Sequence, residues 1–335
     1  MRWVLRILKW LGLGLGGLFL AGAVYQQIGL AFDVAPPASD MITVDGRTVH
    51  LVCTGPNGKA KRTFVLDAGA GAGVFEWLHL QPLLSKDARV CAFDRAGLGW
   101  SDSAPGYAAD ADSDRLAALV KAAHIPTPFV YVGHSLGADF AIVYRQRHPK
   151  DVSALVLIEP GMPADLLEDF HGTRDEAMLE DGCGLSCYAG GAVTLFGVTR
   201  LAGFAAGHKT FDETHRAIYL AHTTQPATVM TTLASLHALP RTATQVREAE
   251  DFPGTPVLTL ASSAPRDPEG TETVDDVKRW KVKQRAWLAS LAAKSPHGQG
   301  PIDVPNSTHA SMVLGAPQSA FVARTILDFL TAAGR

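Results

Sequence analysis

The sequence predicts an α/β protein, with a mostly parallel eight-stranded sheet flanked by helices and a helical insertion before the last two strands. Three observations predict it. From residue 41 onward, short apolar runs bounded by turn residues alternate with helix-length segments. One such run, 128–132, leads through Gly133-His134-Ser135-Leu136-Gly137 into a helical segment, so strand, G-x-S-x-G and helix follow in order. The alternation then breaks over 161–250 and resumes at 256.

The N-terminus comes first. Arg2, Arg6 and Lys9 precede an uncharged stretch from Trp10 to Phe32, 23 residues rich in Leu, Gly, Ala and Val. As a helix this crosses the hydrocarbon core of a bilayer, about 30 Å, although Gln26 and Gln27 weaken its end. It is apolar all round, unlike a buried amphipathic helix. The basic flank stays cytoplasmic, and Asp33 and Asp40 lie beyond, so the rest of the chain is expected on the outer side, periplasmic or extracellular. The rival reading is a signal peptide cleaved at Ala21-Gly22-Ala23, giving a secreted protein. Residues 1–32 are therefore an anchor or signal segment, and 33–40, with Pro36-Pro37, a linker.

Beyond the linker, strands are expected near 41–45, 47–53, 63–67, 89–93, 128–132, 154–158, 256–261 and 301–304. Helices are expected near 76–85, 112–124, 136–148, 276–294 and 317–332. The core is then 41–160 with 251–335, and the insertion is 161–250. Some 300 residues follow the first segment, and 47% of the chain is hydrophobic, enough for one sizeable core. The net charge of −3 offers no electrostatic reason to expect nucleic acid. The Gly/Ala loop 68–73 is neither a phosphate-binding P-loop nor a dinucleotide fingerprint, because no Gly-Lys-Ser/Thr and no closing acid follow it.

Three segments carry a family resemblance. Besides the Ser135 elbow, Asp94-Arg95-Ala96-Gly97-Leu98-Gly99-Trp100-Ser101 resembles the D-x-x-G-x-G-x-S turn of the α/β-hydrolase family. His148-Pro149-Lys150-Asp151-Val152-Ser153-Ala154-Leu155-Val156-Leu157 resembles its passage from the elbow helix into the next strand. The resemblance covers roughly 41–335. It implies the α/β-hydrolase fold with a helical cap over the serine, and hydrolysis of an ester or related acyl bond with no metal or organic cofactor. Family members that act on epoxides or haloalkanes use a carboxylate where this chain has Ser135.

A serine hydroxyl needs a base within reach and a group that orients the base. His309 sits on a strand-exit loop near the C-terminus, where the order Ser, acid, His requires it. The acid is open between Glu159, which ends the strand after the elbow, and Asp267, in the loop after the next strand. Glu159 is preferred, since a carboxylate ending a buried strand is held rigidly. The oxyanion donors are expected to be the backbone N–H groups of Leu136 and Ala70. Ala68-Gly69-Ala70 stands where the family usually has His-Gly-x, so a side chain that often braces this loop is missing. Asp94 and Arg95 are expected to shape their turn.

Four cysteines agree with export. Cys53 and Cys91 lie on strands that the family's sheet order makes neighbours, so a disulfide there is implied as feasible. Cys183 and Cys187 would close a short loop. His208, His215 and His222 recur every seven residues and read as a solvated or cap-packing stripe; two turns apart, they cannot share a metal. The expected partners are a small-molecule acyl substrate and, through residues 10–32, the membrane. A slow-turnover ligand sensor and an acyltransferase are the alternatives.

Overall fold

The computed structural model describes residues 2–34, 36, 40–56, 61–163, 185–206, 213–264 and 273–335. Helix α1 (Arg2–Phe32) opens the chain, and its residues 3–20 are exposed on every face. Strands β1 (Asp40–Val44), β2 (Arg47–Thr54), β3 (Thr63–Asp67), β4 (Arg89–Phe93), β5 (Phe129–His134), β6 (Val152–Ile158), β7 (Val257–Ser262) and β8 (Gly298–Val304) form one eight-stranded sheet in the order β1-β2-β4-β3-β5-β6-β7-β8. The β1–β2 and β2–β4 pairs are antiparallel, and every later pair is parallel.

Strands β3 and β5 are buried along their whole length, as a sheet covered on both faces requires. Their side chains alternate between two cores. Phe64, Leu66, Val130, Val132, Val156 and Ile158 face one; Val65, Tyr131, Leu155 and Leu157 face the other. Helices α2 (Leu80–Leu84) and α12 (Ala316–Ala332) contribute Leu84, Ile326 and Leu330 to the first core, and α3 (Ala109–Ala122) and α4 (Leu136–Arg147) contribute Leu116 and Phe140 to the second. From β3 the chain crosses to β4 on one side, and from β5 to β6 on the other. The carboxyl ends of β3 and β5 therefore meet at a switch point, where ligand crevices form in open parallel sheets.

Between β6 and β7 the chain forms α5 (Leu185–Leu195), α6 (Val198–Ala206), α7 (Glu213–Thr223), α8 (Pro226–His237) and α9 (Leu239–Glu248), a helical insertion of the kind that caps this fold. After β7 come α10 (Val274–Ala293) and, beyond β8, the short α11 (Ser311–Leu314).

Local chemistry explains where the elements depart from expectation. The helix expected at 76–85 is a 3₁₀ turn, Val74–Trp77, followed by α2. Pro82 lacks the N–H that a continuous helix would bond back to Leu78, so the helix restarts with Pro82 in its first turn. Helix α10 starts two residues early because Thr273 and Asp276 form a capping box, the Thr273 hydroxyl accepting from Asp276 N at 3.2 Å. Strand β8 starts three residues early, at Gly298, and tolerates Pro301 because it is an edge strand.

Cys53 and Cys91 are directly opposed across β2 and β4 and form a disulfide, 38 residues apart in sequence. Cys187 is buried, and Cys183 lies outside the described residues. Chain-entropy arguments for a loop of this length give about 3–4 kcal/mol of stabilisation. We expect Cys53→Ser to lower the unfolding free energy by that amount under oxidising conditions, and to match wild type once the latter is reduced. Urea titrations of both proteins, with and without reductant, check this.

Candidate active site

Ser135 sits between the last residue of β5 and the first of α4, at φ 52° and ψ −124°. Such a left-handed φ is uncommon for any residue with a Cβ. The flanking glycines make the turn possible. A Cβ on Gly133 would lie 2.4 Å from the Gly137 carbonyl oxygen, and one on Gly137 would lie 2.2 Å from that of Asp67. Ser135 N still donates to the Ile158 carbonyl at 2.9 Å, so the residue stays tied to the sheet while its side chain leaves it.

One strand over, Glu159 follows β6 with φ 47°. Its Oε2 lies 2.7 Å from His309 Nδ1. Its Oε1 accepts from Ser262 N at 2.9 Å and Ser262 Oγ at 2.7 Å. Lys281 Nζ, from α10, donates to the Ser262 carbonyl at 2.5 Å and stands 3.5 Å from Glu159 Oε1. Burial alone would raise the Glu159 pKa, but the His309 and Ser262 interactions outweigh it and bring it down to about 2. Glu159 is thus ionised at neutral pH, and His309 Nδ1 carries the hydrogen that faces it. Asp267 lies outside the described residues.

Ser135 and His309 line one cavity of about 570 Å³, with Gly69 and Ala70 from the loop after β3 and Tyr219, Val229 and Leu233 from the insertion. Among the described residues, no hydrogen bond joins the Ser135 hydroxyl to His309. Catalytic hydrogen bonds of ligand-free sites are often formed only when substrate binds.

The bracing histidine absent from Ala68-Gly69-Ala70 is replaced from two directions. Arg95 donates to the Ala68 and Gly69 carbonyls at 2.5 and 2.6 Å, and it pairs with Asp67, which also accepts from Tyr131 Oη at 2.9 Å. Glu76 Oε2 accepts from Gly69 N at 2.7 Å, and Glu76 Oε1 pairs with His134 Nδ1. His134 Nε2 in turn points at the His309 carbonyl, 3.1 Å away. Burial disfavours charge on His134, but the Glu76 carboxylate outweighs it and raises the His134 pKa. This chain ties the loop after β3, the elbow and the His309 loop together. Sequence reasoning missed Glu76, His134, Ser262 and Lys281. The first had a signal, as a lone acid among Val74, Phe75 and Trp77; the others had none.

Asp94 accepts from Val74 N and Trp100 N at 2.9 and 3.3 Å, which shapes the turn as expected. It also lies 2.7 Å from His50 Nδ1 and 3.3 Å from His222 Nε2, all three fully buried. Burial opposes its ionisation, yet the two histidines hold its pKa far below the carboxylate range. His222 therefore locks the insertion onto the core, and His215 stacks on His79 with centroids 4.5 Å apart. Both pack rather than face solvent; His208 lies outside the described residues.

Asp139, in the first turn of α4, accepts from Gly161 N at 3.2 Å, close behind Glu159, and its Oδ1 has no hydrogen-bond partner among the described residues. Burial pushes its pKa up to about 7. The folded state therefore holds a proton that the unfolded chain releases near pH 4. Stability is lost as pH rises from about 4 to about 7, and the loss is constant above. We expect Asp139→Asn to flatten this stretch of the stability profile and to exceed wild type at pH 8 by about 2–4 kcal/mol, measured by denaturant unfolding at pH 5 and pH 8.

Residues 63–180 match the family described as the alpha/beta hydrolase fold. An uncharacterized protein of Schizosaccharomyces pombe is 30% identical over 157 residues, 38% of this chain and 29% of its own length. A protein of Rattus norvegicus named 1-acylglycerol-3-phosphate O-acyltransferase ABHD5 is 31% identical over 125 residues, 36% of this chain and 35% of its own. The chain spans less than two thirds of the length of these curated relatives. Among solved structures, a laboratory-evolved variant of a potato epoxide hydrolase superposes with a TM-score of 0.64 at 16% identity, covering 88% of this chain and 99% of its own.

Proposed function

We propose that the chain, which has the α/β-hydrolase fold and matches that family over residues 63–180, is a membrane-anchored serine hydrolase acting on an ester or related acyl bond. The observation that carries the reading is the 2.7 Å contact between His309 Nδ1 and an ionised Glu159, with His309 and Ser135 on one cavity. In this mechanism Ser135 Oγ attacks the acyl carbon while His309 Nε2 takes its proton. Glu159 keeps the imidazole oriented and stabilises its charged form. The N–H groups of Ala70 and Leu136 receive the oxyanion, at the N-terminus of α4, where the helix dipole favours negative charge. Collapse expels the alcohol, protonated by His309. Water, activated by the same histidine, then attacks the acyl-serine and releases the acid.

We assign residues 1–32 to the anchor, 33–40 to the linker, 41–160 and 251–335 to the hydrolase core and 161–250 to the cap. The basic residues Arg2, Arg6 and Lys9 in the first turns of α1 and the Cys53–Cys91 disulfide support a catalytic part on the outer, oxidising side of the membrane. The relative named an O-acyltransferase favours a second reading, in which an acceptor alcohol replaces water.

The test is turnover of a nitrophenyl ester series by the full chain in detergent, with and without an added alcohol acceptor. Ser135→Ala is expected to lower kcat by about 10⁴-fold or more. Glu159→Gln is expected to lower it by about 10²–10⁴-fold, and Asp267→Asn by less than about twofold. The reverse pattern for the two acids would transfer the orienting role to Asp267. An acyl product formed mainly on the alcohol would favour transfer. Slow turnover with tight retention of product would favour ligand sensing.

A further inference from the structure

Gln26 and Gln27 look like flaws in an otherwise apolar helix, but Gln26 is fully buried, and not in a membrane. Its Nε2 donates to the Thr224 carbonyl at 2.8 Å, beyond the end of α7. Its Oε1 accepts from Arg200 Nε at 3.2 Å, and Arg200 also makes two bonds to Asp33, at 2.7 and 2.6 Å. Gly22, Gln26, Gly29 and Asp33 recur at helical spacing and form one stripe turned toward the cap. The glycines let α1 approach closely. A Cβ on Gly22 would lie 2.4 Å from the Phe196 carbonyl oxygen, and one on Gly29 would lie 2.3 Å from Arg200 Nε. The Phe19 and Phe196 rings meet at 4.7 Å. Phe19 and Gly22 both precede the end of the small-residue site Ala21-Gly22-Ala23, so cleavage there would remove part of this contact.

The lower part of α1 is thus built into the cap, and residues 3–18, about 24 Å of helix, project beyond the Phe19–Phe196 contact and are exposed on every face. Where α1 leaves the protein, the cap is itself apolar. From Leu185 to Ala206 the one charged residue is Arg200, and it is buried on Gln26 and Asp33. Leu185, Tyr188, Val198 and Leu201 are 86%, 61%, 53% and 64% exposed. An uncharged face of this kind, continuous with an anchor helix through Phe196, matches a bilayer surface. On its inner side α5 packs along α8, whose Val229 and Leu233 wall the cavity over Ser135.

We propose that α5 and α6 form a membrane-contact face seated on the leaflet from which α1 emerges, so that the cavity takes acyl substrates dissolved in that leaflet. The proposal rests on the anchor reading of α1. The buried Gln26–Arg200–Asp33 cluster holds the cap at a set height on the helix, which brings the apolar residues of α5 and α6 to the headgroup level.

The test uses the full chain in phosphatidylcholine vesicles, with an environment-sensitive nitrobenzoxadiazole label on Leu185→Cys, Leu201→Cys and, as a reference on the exposed face of α10, Val282→Cys. Unsubstituted protein is the blank for Cys187. The labels at 185 and 201 are expected to emit to the blue of the label at 282 and to be quenched at least twofold by doxyl-labelled lipid. The label at 282 is expected to respond to aqueous iodide instead. Labels at 185 and 201 that behave like 282 on vesicle-bound protein would overturn the proposal and leave the anchor standing. Protein that does not float with vesicles would remove the anchor reading and this proposal together. A blue shift that grows with protein density and ignores the lipid quencher would identify a second copy as the occupant, and also overturns it. In activity, Leu185→Asp with Leu201→Asp is expected to lose at least tenfold on a long-chain ester dissolved in vesicles while keeping a soluble short-chain ester within twofold. Equal losses on both esters would separate the face from substrate supply and overturn that part.

Discussion

Two residues with side chains occupy left-handed backbone at the ends of adjacent strands, Ser135 after β5 and Glu159 after β6. Conformations of this kind cost about 1–3 kcal/mol each and persist only where the surroundings leave no alternative. Here the sheet imposes them. Ser135 N bonds the Ile158 carbonyl and Glu159 N bonds the Leu260 carbonyl, so both chains remain in the ladder up to the residue that turns out of it. Because β5 and β6 are parallel and in register through His134 and Ile158, the two side chains leave the same edge of the sheet. The cavity, the approach of His309 and the placement of the loop after β3 all depend on that shared edge.

The site is braced by buried ionic chains. Arg95 holds the loop after β3 by its carbonyls, Glu76 holds it by an N–H, and His134 passes the connection to the His309 backbone. A second cluster, His50–Asp94–His222, joins the core to the cap, and a third, Gln26–Arg200–Asp33, joins the cap to α1. Charges buried in this way hold one geometry because removing any partner leaves another uncompensated in a low-dielectric interior. The three clusters form a mechanical series from α1 through the cap to the loops around Ser135.

Much of this was legible in the chain. The alternating apolar runs determine a sheet covered on both faces, and the eight strands lie where the runs are. Gly133 and Gly137 are readable because nothing larger fits an elbow. What was not legible shares one cause: the partners are far apart in sequence. Glu76 and His134 are separated by 58 residues, Gln26 and Thr224 by 198. Gln26 read as a weak point in a membrane segment because polarity in one dimension carries no information about what will stand opposite.

The sequence by itself determined the layer order, the elbow and the apolar helix, because each follows from local periodicity or from the steric demands of a short turn. Only the tertiary structure decided that Glu159 meets His309, that Arg95 and Glu76 brace a loop lacking its usual histidine, and that α1 is part of the cap. Those outcomes depend on which strand ends and helix faces come within hydrogen-bond distance. That is set by sheet order and packing, which no single segment encodes.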